Sequence, residues 1–399
     1  MIINALTARY LGPSNFGLIN YAASLVAFVT PLMQLGLSDV LVYEIIKNPD
    51  NEGTIIGTSI AMSFVSALCC IIGLGTIMHL VNPSDQVATV VVILYSLLLL
   101  SQSMELIQYW FHAKLLSKYV SIVSFFAYIV ISGYKFFLLV SEKSVYWFAI
   151  SNSLDYLLIA LILLVIYRRI SGQRLGVLKS TAISLWNQGK HYILPGLMGV
   201  VLAQSDRVMI RAICGDDEVG FYSAALYIAT LSSFVFTAII SSYRPVILEK
   251  KREGTKEYEH HLTKLYGIVL YTSLAQAIAL ALLSSTAVHL LYGEAYAPAI
   301  PIVRVVIWYT CFSYLGAVKN VWILAENKQS YLWIISFTGM ILNILLNLAL
   351  IPRFGSMGAA VATLITQIFT NIILECLLKP LRGHIHYVVQ GIKLTWFFR

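Results

Sequence analysis

Residues 8–17 of the chain read Ala8-Arg9-Tyr10-Leu11-Gly12-Pro13-Ser14-Asn15-Phe16-Gly17, and residues 211–220 read Arg211-Ala212-Ile213-Cys214-Gly215-Asp216-Asp217-Glu218-Val219-Gly220. Each stretch places two glycines five positions apart in a short polar turn between two apolar runs. Similar segments follow the two turns, Ile19-Asn20-Tyr21-Ala22 and Tyr222-Ser223-Ala224-Ala225. The spacing indicates an internal duplication, and many secondary transporters are built from duplicated helical halves.

The composition indicates a membrane protein, because 59% of the 399 residues are hydrophobic and only 12% are charged, against about 25% charged in soluble domains. A membrane-spanning helix needs about 20 apolar residues. The sequence therefore predicts an all-α polytopic membrane protein with eleven full spans, and residues 1–11 resemble the end of a twelfth. The predicted spans are 16–37, 54–81, 87–112, 119–140, 144–167, 191–213, 218–243, 265–292, 298–324, 330–351 and 355–379.

Positive charge is strongly biased toward one set of connectors. Nineteen Lys and Arg residues lie in 38–53, 113–118, 168–190, 244–264, 325–329 and from Lys379 onward, whereas the opposite connectors hold only Lys143 and Arg353. Cytoplasmic connectors carry such an excess, so we predict a multi-pass membrane protein with a cytoplasmic C-terminus. This bias also accounts for the net charge of +8 without nucleic-acid binding.

The sequence divides into a transmembrane lobe at 1–167, a cytoplasmic linker at 168–190, a second lobe at 191–380 and a cytoplasmic tail at 381–399. A short amphipathic surface helix is favoured in the linker, because apolar residues recur there at helical steps, namely Leu175, Leu178, Ala182 and Leu185; an unstructured basic linker is the alternative.

The duplication aligns 191–213 with a helix that would begin before Met1. We therefore expect an incomplete first helix, and either an upstream native start or a shortened form.

No motif of an enzyme is present. The sequence contains no nucleophile elbow, zinc-protease helix, phosphate-binding loop or dinucleotide fingerprint, and the five cysteines do not form a metal or disulfide pattern. We predict no catalytic residue, no metal and no cofactor.

Charges inside the predicted spans are the candidate functional residues, because burying a charge in a membrane is costly. Glu105 lies on a polar face that steps by three and four residues, typical of a water-filled cavity or of a structural network between helices.

Arg304 and Lys319 share a span, about 60° apart around the axis and about 22 Å apart along it. Both fit one lumen that holds an anionic cargo such as a pyrophosphate; pairing with Glu105, Asp155 or Glu375 is the alternative. The cations inside the spans are Arg304, Lys319, Lys135 and Arg207, and the carboxylates are Glu105, Asp155, Asp206 and Glu375.

The strongest local signature is Asn343-x3-Asn347-x4-Pro352-x2-Gly355-x2-Gly358-Ala359-Ala360-x-Ala362-Thr363. Together with 8–13, Phe16-Gly17, Tyr109-Trp110-Phe111 and Asp206-Arg207, it resembles the polysaccharide exporters of the multidrug/oligosaccharidyl-lipid/polysaccharide (MOP) superfamily, and most closely the O-antigen flippases of the Wzx type. The resemblance covers the whole chain except the start of the first helix.

This resemblance implies two pseudo-symmetric six-helix lobes around a central cavity, with the first helix truncated here. It implies export of an O-antigen repeat unit, an oligosaccharide linked to undecaprenyl pyrophosphate, from the inner to the outer leaflet of the bacterial cytoplasmic (inner) membrane. Transport would proceed by alternating access and be coupled to H⁺ or Na⁺. By the same resemblance, the cargo-binding residues are expected to be Arg304, Lys319, Lys135 and Arg207, and the ion-coupling residues Glu105, Asp155 and Asp206. Membrane lipids and a polysaccharide polymerase are the further expected partners.

Two other functions remain open. A drug or metabolite antiporter of the same superfamily would favour carboxylates over cations in its cavity. A membrane polysaccharide polymerase would carry a long polar outer loop, whereas every predicted outer connector here is short.

Overall fold

The structure, a computed structural model, describes residues 2–81 and 83–393; the last six residues of the predicted tail, 394–399, lie outside the described part. The described residues form helices and turns, and no strand occurs among them. The helices are α1 (Ile2–Gln34), α2 (Leu41–Lys47), α3 (Glu52–Val81), α4 (Gln86–Ser96), α5 (Leu98–Glu105), α6 (Gln108–Ala113), α7 (Ser117–Val140), α8 (Val145–Ile170), α9 (Lys179–Cys214), α10 (Asp216–Ala229), α11 (Ser233–Glu253), α12 (Thr255–Leu282), α13 (Ser284–Leu291), α14 (Ala299–Ala325), α15 (Leu332–Ile368), α16 (Leu374–Leu377) and α17 (Gly383–Ile392).

The two glycine turns of the sequence have nearly the same backbone geometry. Gly12 has φ 72° and ψ 172°, and Gly215 has φ 93° and ψ −176°. Positive φ is readily adopted by glycine and costly for other residues. Each glycine therefore breaks the helical path at the same point of the repeat, and the predicted pair of turns is present in the structure.

Nine helices among the described residues are long and apolar enough to cross a membrane, or ten if Asp216–Ala229 and Ser233–Glu253, bent by 46°, form one span. The sequence analysis predicts eleven spans, one more than ten, because it divides the continuous stretch Gln329–Leu377 into two spans. These two spans meet at Gly355, whose φ of 59° and ψ of −142° are not helical. The chain is an all-α polytopic membrane protein, as predicted.

A carboxylate from another helix supports the break at Gly355. Ser356 donates its backbone N–H (3.0 Å) and its hydroxyl to the Glu218 side chain, so Glu218 pairs an amide at the start of the new helical segment. Three residues on, a Cβ on Gly358 would lie 2.4 Å from the Leu350 carbonyl oxygen. The glycines of the Pro352–Gly358 signature are thus required by a positive φ and by close backbone packing.

The chain divides into two compact units, one up to Val208 and one from Met209 onward. In the first unit, one apolar core surrounds Phe148 and Val91 and another surrounds Trp110 and Tyr167. The core of the second unit is built around Tyr266, Trp322 and their neighbours. Large apolar side chains also point outward, such as Phe125 (62% exposed) and Phe126 (58%) on α7, as expected for helices that face lipid.

The segment between α8 and α9 differs from the predicted linker. Residues 171–178 are not helical and lie along the start of α3, where the Gly176 N–H donates to the Gly53 carbonyl (3.3 Å) and the Leu178 N–H donates to the Thr58 hydroxyl (3.2 Å). From Lys179 the chain forms one helix of 36 residues rather than a short surface helix followed by a span. Pro195 lies inside that helix without ending it, so the end of the predicted linker and the predicted span form one continuous helix.

A second duplicated feature lies where α6 and α14 end. Leu115 (φ 58°) and Asn327 (φ 54°) adopt left-handed conformations, and each following N–H reaches back five residues, Leu116 to Phe111 (2.7 Å) and Lys328 to Ile323 (2.9 Å). An ion pair fixes each turn: Lys114 to Glu52 in the first unit (2.7 Å) and Glu326 to Lys251 in the second (2.6 Å). Acid and base have therefore exchanged places between the two copies.

Replacing Gly57 with Ala should destabilise the first unit, because a Cβ there would lie 2.4 Å from the backbone oxygen of Gly176. Overpacking of this kind costs about 1–3 kcal/mol. Gly73→Ala on the same helix is the matched control, since nothing lies within 4 Å of its Cβ position and alanine favours helix by about 1 kcal/mol. Thermal unfolding in detergent should show a lower midpoint for Gly57→Ala only; equal midpoints would contradict the described contact.

Exchanging the charges of the second ion pair tests the duplicated turn. Lys251→Glu or Glu326→Lys alone places like charges together and should lower stability by about 1 kcal/mol, whereas the double exchange should recover most of it. Arg252→Glu, one residue along α11 and exposed, controls for net charge. Recovery no better than the sum of the single losses, measured by thermal unfolding, would contradict an interaction between the two positions.

The same pair predicts a pH dependence. Burial disfavours the Glu326 carboxylate, but its contacts with Lys251 and Tyr258 outweigh this effect and hold its pKa below the usual value. A carboxyl with a depressed pKa stabilises the fold above its unfolded pKa, about 4.3, and loses that contribution as the pH falls through the folded value. The stability difference between the native chain and Glu326→Gln should therefore be constant near neutral pH and shrink below about pH 4; a difference that grows on acidification would refute this sign.

Candidate functional site

Three of the predicted residues come together in the first unit. Lys135 on α7 donates to the side-chain oxygen of Asn152 on α8 (3.0 Å). Asp155, one turn further along α8, interacts electrostatically with both Lys135 and Glu105 at the end of α5. One oxygen of Asp155 is buried and accepts no hydrogen bond from the described residues. The cluster therefore contains two carboxylates, one cation and an unused buried acceptor.

The polar face predicted for Glu105 lies on one continuous stretch, Gln86–Ala113, that is long and apolar enough to cross a membrane. Between α5 and α6, Leu106 (φ −54°, ψ −18°) and Ile107 (φ −55°, ψ −27°) stay right-handed helical, and the hydrogen bonds there span three residues instead of four. His112, at the far end of that face, contacts the Ser117 hydroxyl (2.9 Å) at the helix end. The part of the face around Glu105 packs toward α8.

Asp206 and Arg207 lie on the part of α9 that belongs to the first unit. Asp206 is buried, at 5% exposure. Arg207 donates to the side-chain oxygen of Gln204 (2.7 Å), which also accepts from the Ser24 hydroxyl on α1 (3.0 Å). Arg207 thus takes part in a polar network that connects α9 with α1.

Arg304 and Lys319 have very different surroundings in the second unit. Arg304 is exposed near the start of α14, with its Nε donating to the Ser284 hydroxyl (3.0 Å). Lys319 is 3% exposed and pairs with Glu375 at 2.8 Å. The structure thus contains the pairing with Glu375 that the sequence analysis keeps as an alternative, and Arg304 is the one of the two that is accessible.

A cavity of about 320 Å³ opens between α11, α14 and the start of α15. Ser241, Arg244, Asn320 and Gln329 are its polar lining, and apolar side chains such as Ile240 and Leu332 form much of the rest. Arg244 makes no hydrogen bond or ion pair with the described part of the chain. Arg244 and Gln329 belong to connectors that the predicted topology places on the cytoplasmic side.

This lining matches an anionic head attached to a hydrocarbon chain. A guanidinium forms two parallel hydrogen bonds to phosphate oxygens, and binding pockets combine apolar walls with a few convergent polar groups. Sequence reasoning missed Arg244, because a single arginine beside a cytoplasmic connector is accounted for by the charge bias alone.

No group of three or more His, Cys, Asp or Glu side chains in the described residues is arranged to hold a metal ion.

Comparison with known proteins relates this arrangement to membrane transporters. Over 99% of its length, the chain superposes on the lipid II flippase MurJ in an inward closed conformation (TM-score 0.75, 14% identity, 88% of that chain covered). It likewise superposes over 99% on an inward-facing multidrug resistance transporter of the MATE family, of the MOP superfamily (TM-score 0.72, 12% identity, 95% covered). At these identities the similarity is one of fold.

Two sequence comparisons add to the structural ones. An uncharacterized membrane protein of Methanocaldococcus jannaschii is 24% identical over 237 residues, which span 55% of this chain and about half, 46%, of that relative. The family described as "Polysaccharide biosynthesis protein" matches residues 1–251. With well over half of its residues matched, the chain belongs to the polysaccharide biosynthesis protein family.

Proposed function

We propose that the chain is a flippase that moves an oligosaccharide linked to a polyprenyl pyrophosphate, such as undecaprenyl pyrophosphate, from the inner to the outer leaflet of the cytoplasmic membrane. An O-antigen repeat unit is the proposed sugar cargo. The cycle would proceed by alternating access and be driven by an ion gradient. Family membership and the transporter fold support this function.

The observation that carries the proposal is the cavity lined by Arg244. A polyprenyl pyrophosphate combines two phosphates with a long apolar tail, and the cavity offers an unpaired guanidinium, three amide or hydroxyl side chains and an apolar wall. On the predicted topology this cavity lies toward the cytoplasm, where such a cargo is made available. We assign the cavity as the site at which the pyrophosphate first binds, and exposed Arg304 as a second cationic contact along the transport path.

We propose the cluster of Glu105, Lys135 and Asp155 in the first unit as the ion-coupling site of the transport cycle. Glu105 and Asp155 would be the carboxylates that bind and release the ion. Two carboxylates near one lysine can change their net charge by taking up a single cation. Asp206 and Arg207, which lie in or beside the network between α9 and α1, are proposed to respond to that change. Lys135, which donates to Asn152, interacts with Asp155 through its charge.

The second candidate function is a drug or metabolite antiporter, favoured by the carboxylates of the first unit. The two functions are separated by reconstituting the purified chain in liposomes with a fluorescent polyprenyl-pyrophosphate sugar. The flippase predicts that the chain makes the labelled lipid of the inner leaflet accessible to a membrane-impermeant quencher, and that a neutral polyprenol-linked sugar moves much more slowly. No lipid movement, together with gradient-driven uptake of a soluble organic cation, would establish the antiporter instead.

Arg244→Ala should reduce the transport rate at low cargo concentration by tenfold or more, since a charge-assisted contact contributes about 1.5–3 kcal/mol. Arg244→Lys should retain part of the rate, because lysine keeps the charge but not the bidentate geometry. Arg252→Ala, exposed on the same helix and absent from the cavity lining, is the control and should transport normally. Equal rates for Arg244→Ala and Arg252→Ala would exclude the cavity as the cargo site.

Arg304→Ala should abolish surface polysaccharide in cells that depend on this chain, while the protein remains in the membrane at its normal level. The reason is loss of a cation that contacts the anionic cargo. Cell-surface polysaccharide is measured alongside the amount of the protein in the membrane fraction. Normal polysaccharide at normal expression would remove Arg304 from the mechanism.

A further inference from the structure

The second unit contains a fully buried cluster of three ionisable side chains that the proposed cargo and ion sites do not use. Lys319 comes from α14, Glu375 from α16 and His384 from α17, and their side chains are 3%, 1% and 1% exposed. The Lys319 nitrogen lies 2.8 Å from Oε1 of Glu375, and Nδ1 of His384 contacts Oε2 of the same carboxylate. One acid is therefore shared between two bases.

Three oxygen atoms from α16 and the turn before it surround the Lys319 ammonium group. Besides Glu375, its ammonium donates to the Asn371 side-chain oxygen (2.8 Å) and to the Thr370 carbonyl (3.1 Å), so each of its three protons has an acceptor. Thr370 and Asn371 lie in a π-helical turn, Phe369–Ile373, a distortion often found at functional sites. Gly316 makes room for Asn371, because a Cβ there would lie 2.3 Å from that oxygen.

His384 has one nitrogen left to accept a proton. The carboxylate beside Nδ1 favours the tautomer with its hydrogen on Nδ1, since a carboxylate only accepts. Nε2 is buried and has no hydrogen-bond partner among the described residues. The ring lies between those of Tyr266 on α12 (5.2 Å between centroids) and Trp322 on α14 (5.9 Å). Nδ1 contacts a charged partner, the Glu375 carboxylate, whereas Nε2 is the basic atom of the cluster for which no charged or polar contact is found in the described part of the chain.

The two states of Nε2 differ by a whole buried charge. With His384 neutral, the ammonium and the carboxylate cancel; with His384 protonated, the cluster carries one net positive charge. Tyr266 faces the cluster from α12, with Tyr258 and Tyr387 coupled to it, and Lys328 lies over the Trp322 ring. Glu326 contacts Tyr258 but is already paired with Lys251, so it does not offset the added charge directly. An uncompensated buried charge is costly, so protonation favours arrangements that admit water or an anion to the cluster.

The helix that carries His384 is connected through a break. Leu378, between α16 and the turn Lys379–Leu381, has an extended conformation (φ −83°, ψ 101°). The turn is held by Lys328, whose ammonium donates to the Pro380 carbonyl (2.6 Å), while α17 packs against α12. The three residues of the cluster come from α14, α16 and α17. A change in the charge of the cluster therefore alters the forces between these helices, close to the break in the helix at Leu378.

We propose that the Lys319–Glu375–His384 cluster is a proton-binding site of the second unit, with Nε2 of His384 as the atom that takes up the proton and with its occupancy coupled to transport. A metal cation does not fit, because the ammonium and the imidazole occupy both carboxylate oxygens. That proton binding is coupled to transport rests on the proposed transport function, and it selects H⁺ over Na⁺ at this site. That the cluster binds a proton does not depend on the transport function.

Proton binding is measured on the full native chain in lipid nanodiscs by exchange of the histidine Cε1 hydrogen, followed by mass spectrometry. The exchange rate of each histidine follows its protonation state, so His384 and exposed His386 are read from fragments of one sample. We expect the exchange rate at His384 to fall as the pH is lowered and Nε2 takes up a proton, and we expect Glu375→Gln to alter this dependence because the neighbouring negative charge is gone. A flat profile for His384 while His386 titrates would overturn the proposal.

Coupling is measured with the liposome assay for the fluorescent polyprenyl-pyrophosphate sugar. The native rate should rise several-fold with an imposed pH gradient, whereas in His384→Gln the ratio of the rates with and without the gradient should fall to about one. His386→Gln is the matched control and should keep the native ratio. Stimulation that persists in His384→Gln would overturn the coupling. If the native chain moves no labelled lipid, the proposed cargo is wrong, while the exchange profile still decides whether the cluster binds a proton.

Discussion

A hydrocarbon environment leaves no backbone N–H or C=O group unpaired without a cost of several kcal/mol, and the rest of this structure depends on that constraint. It requires long helices, and it requires a substitute partner wherever a helix is broken. The Glu218 side chain supplies one at Ser356, where the break at Gly355 frees an amide. The segment before α9 lies outside the hydrocarbon on the predicted topology; it too is not helical, and two of its amides pair with Gly53 and Thr58 on α3. At both places a second element completes hydrogen bonds of irregular backbone.

The two units keep related backbone geometry but differ in their buried chemistry. Gly12 and Gly215 adopt nearly the same conformation, and the turns at Leu115 and Asn327 have the same hydrogen bonds. In the first unit the polar side chains of Glu105, Lys135 and Asp155 are only partly buried. In the second unit Lys319 and Glu375 are almost completely enclosed. Backbone conformation is set by a few residues at each turn, so side chains elsewhere are free to diverge.

The sequence predicts the fold well where the signal is local. Apolar runs locate the helices, and paired glycines locate the breaks, because both depend on residues that are neighbours in the chain. It predicts less where the partner comes from another helix: the spacing of Arg304 and Lys319 gives their positions around one axis, but Glu375 and Asn371 decide that Lys319 is enclosed. His384 follows the last predicted span in a stretch that resembles a polar tail, and no pattern there indicates that α17 packs into the core.

The exchange of acid and base between the two ion pairs has a consequence for how the chain assembles. Because the two halves have related turns, the turn of one half can meet the partner helix of the other half while the helices enter the membrane. Such a wrong encounter would place Glu52 against Glu326 and Lys114 against Lys251, so both combinations would bring together like charges. Only the pairs found within each unit are attractive. The inversion therefore gives each half a means to distinguish its own segments from the other copy during folding.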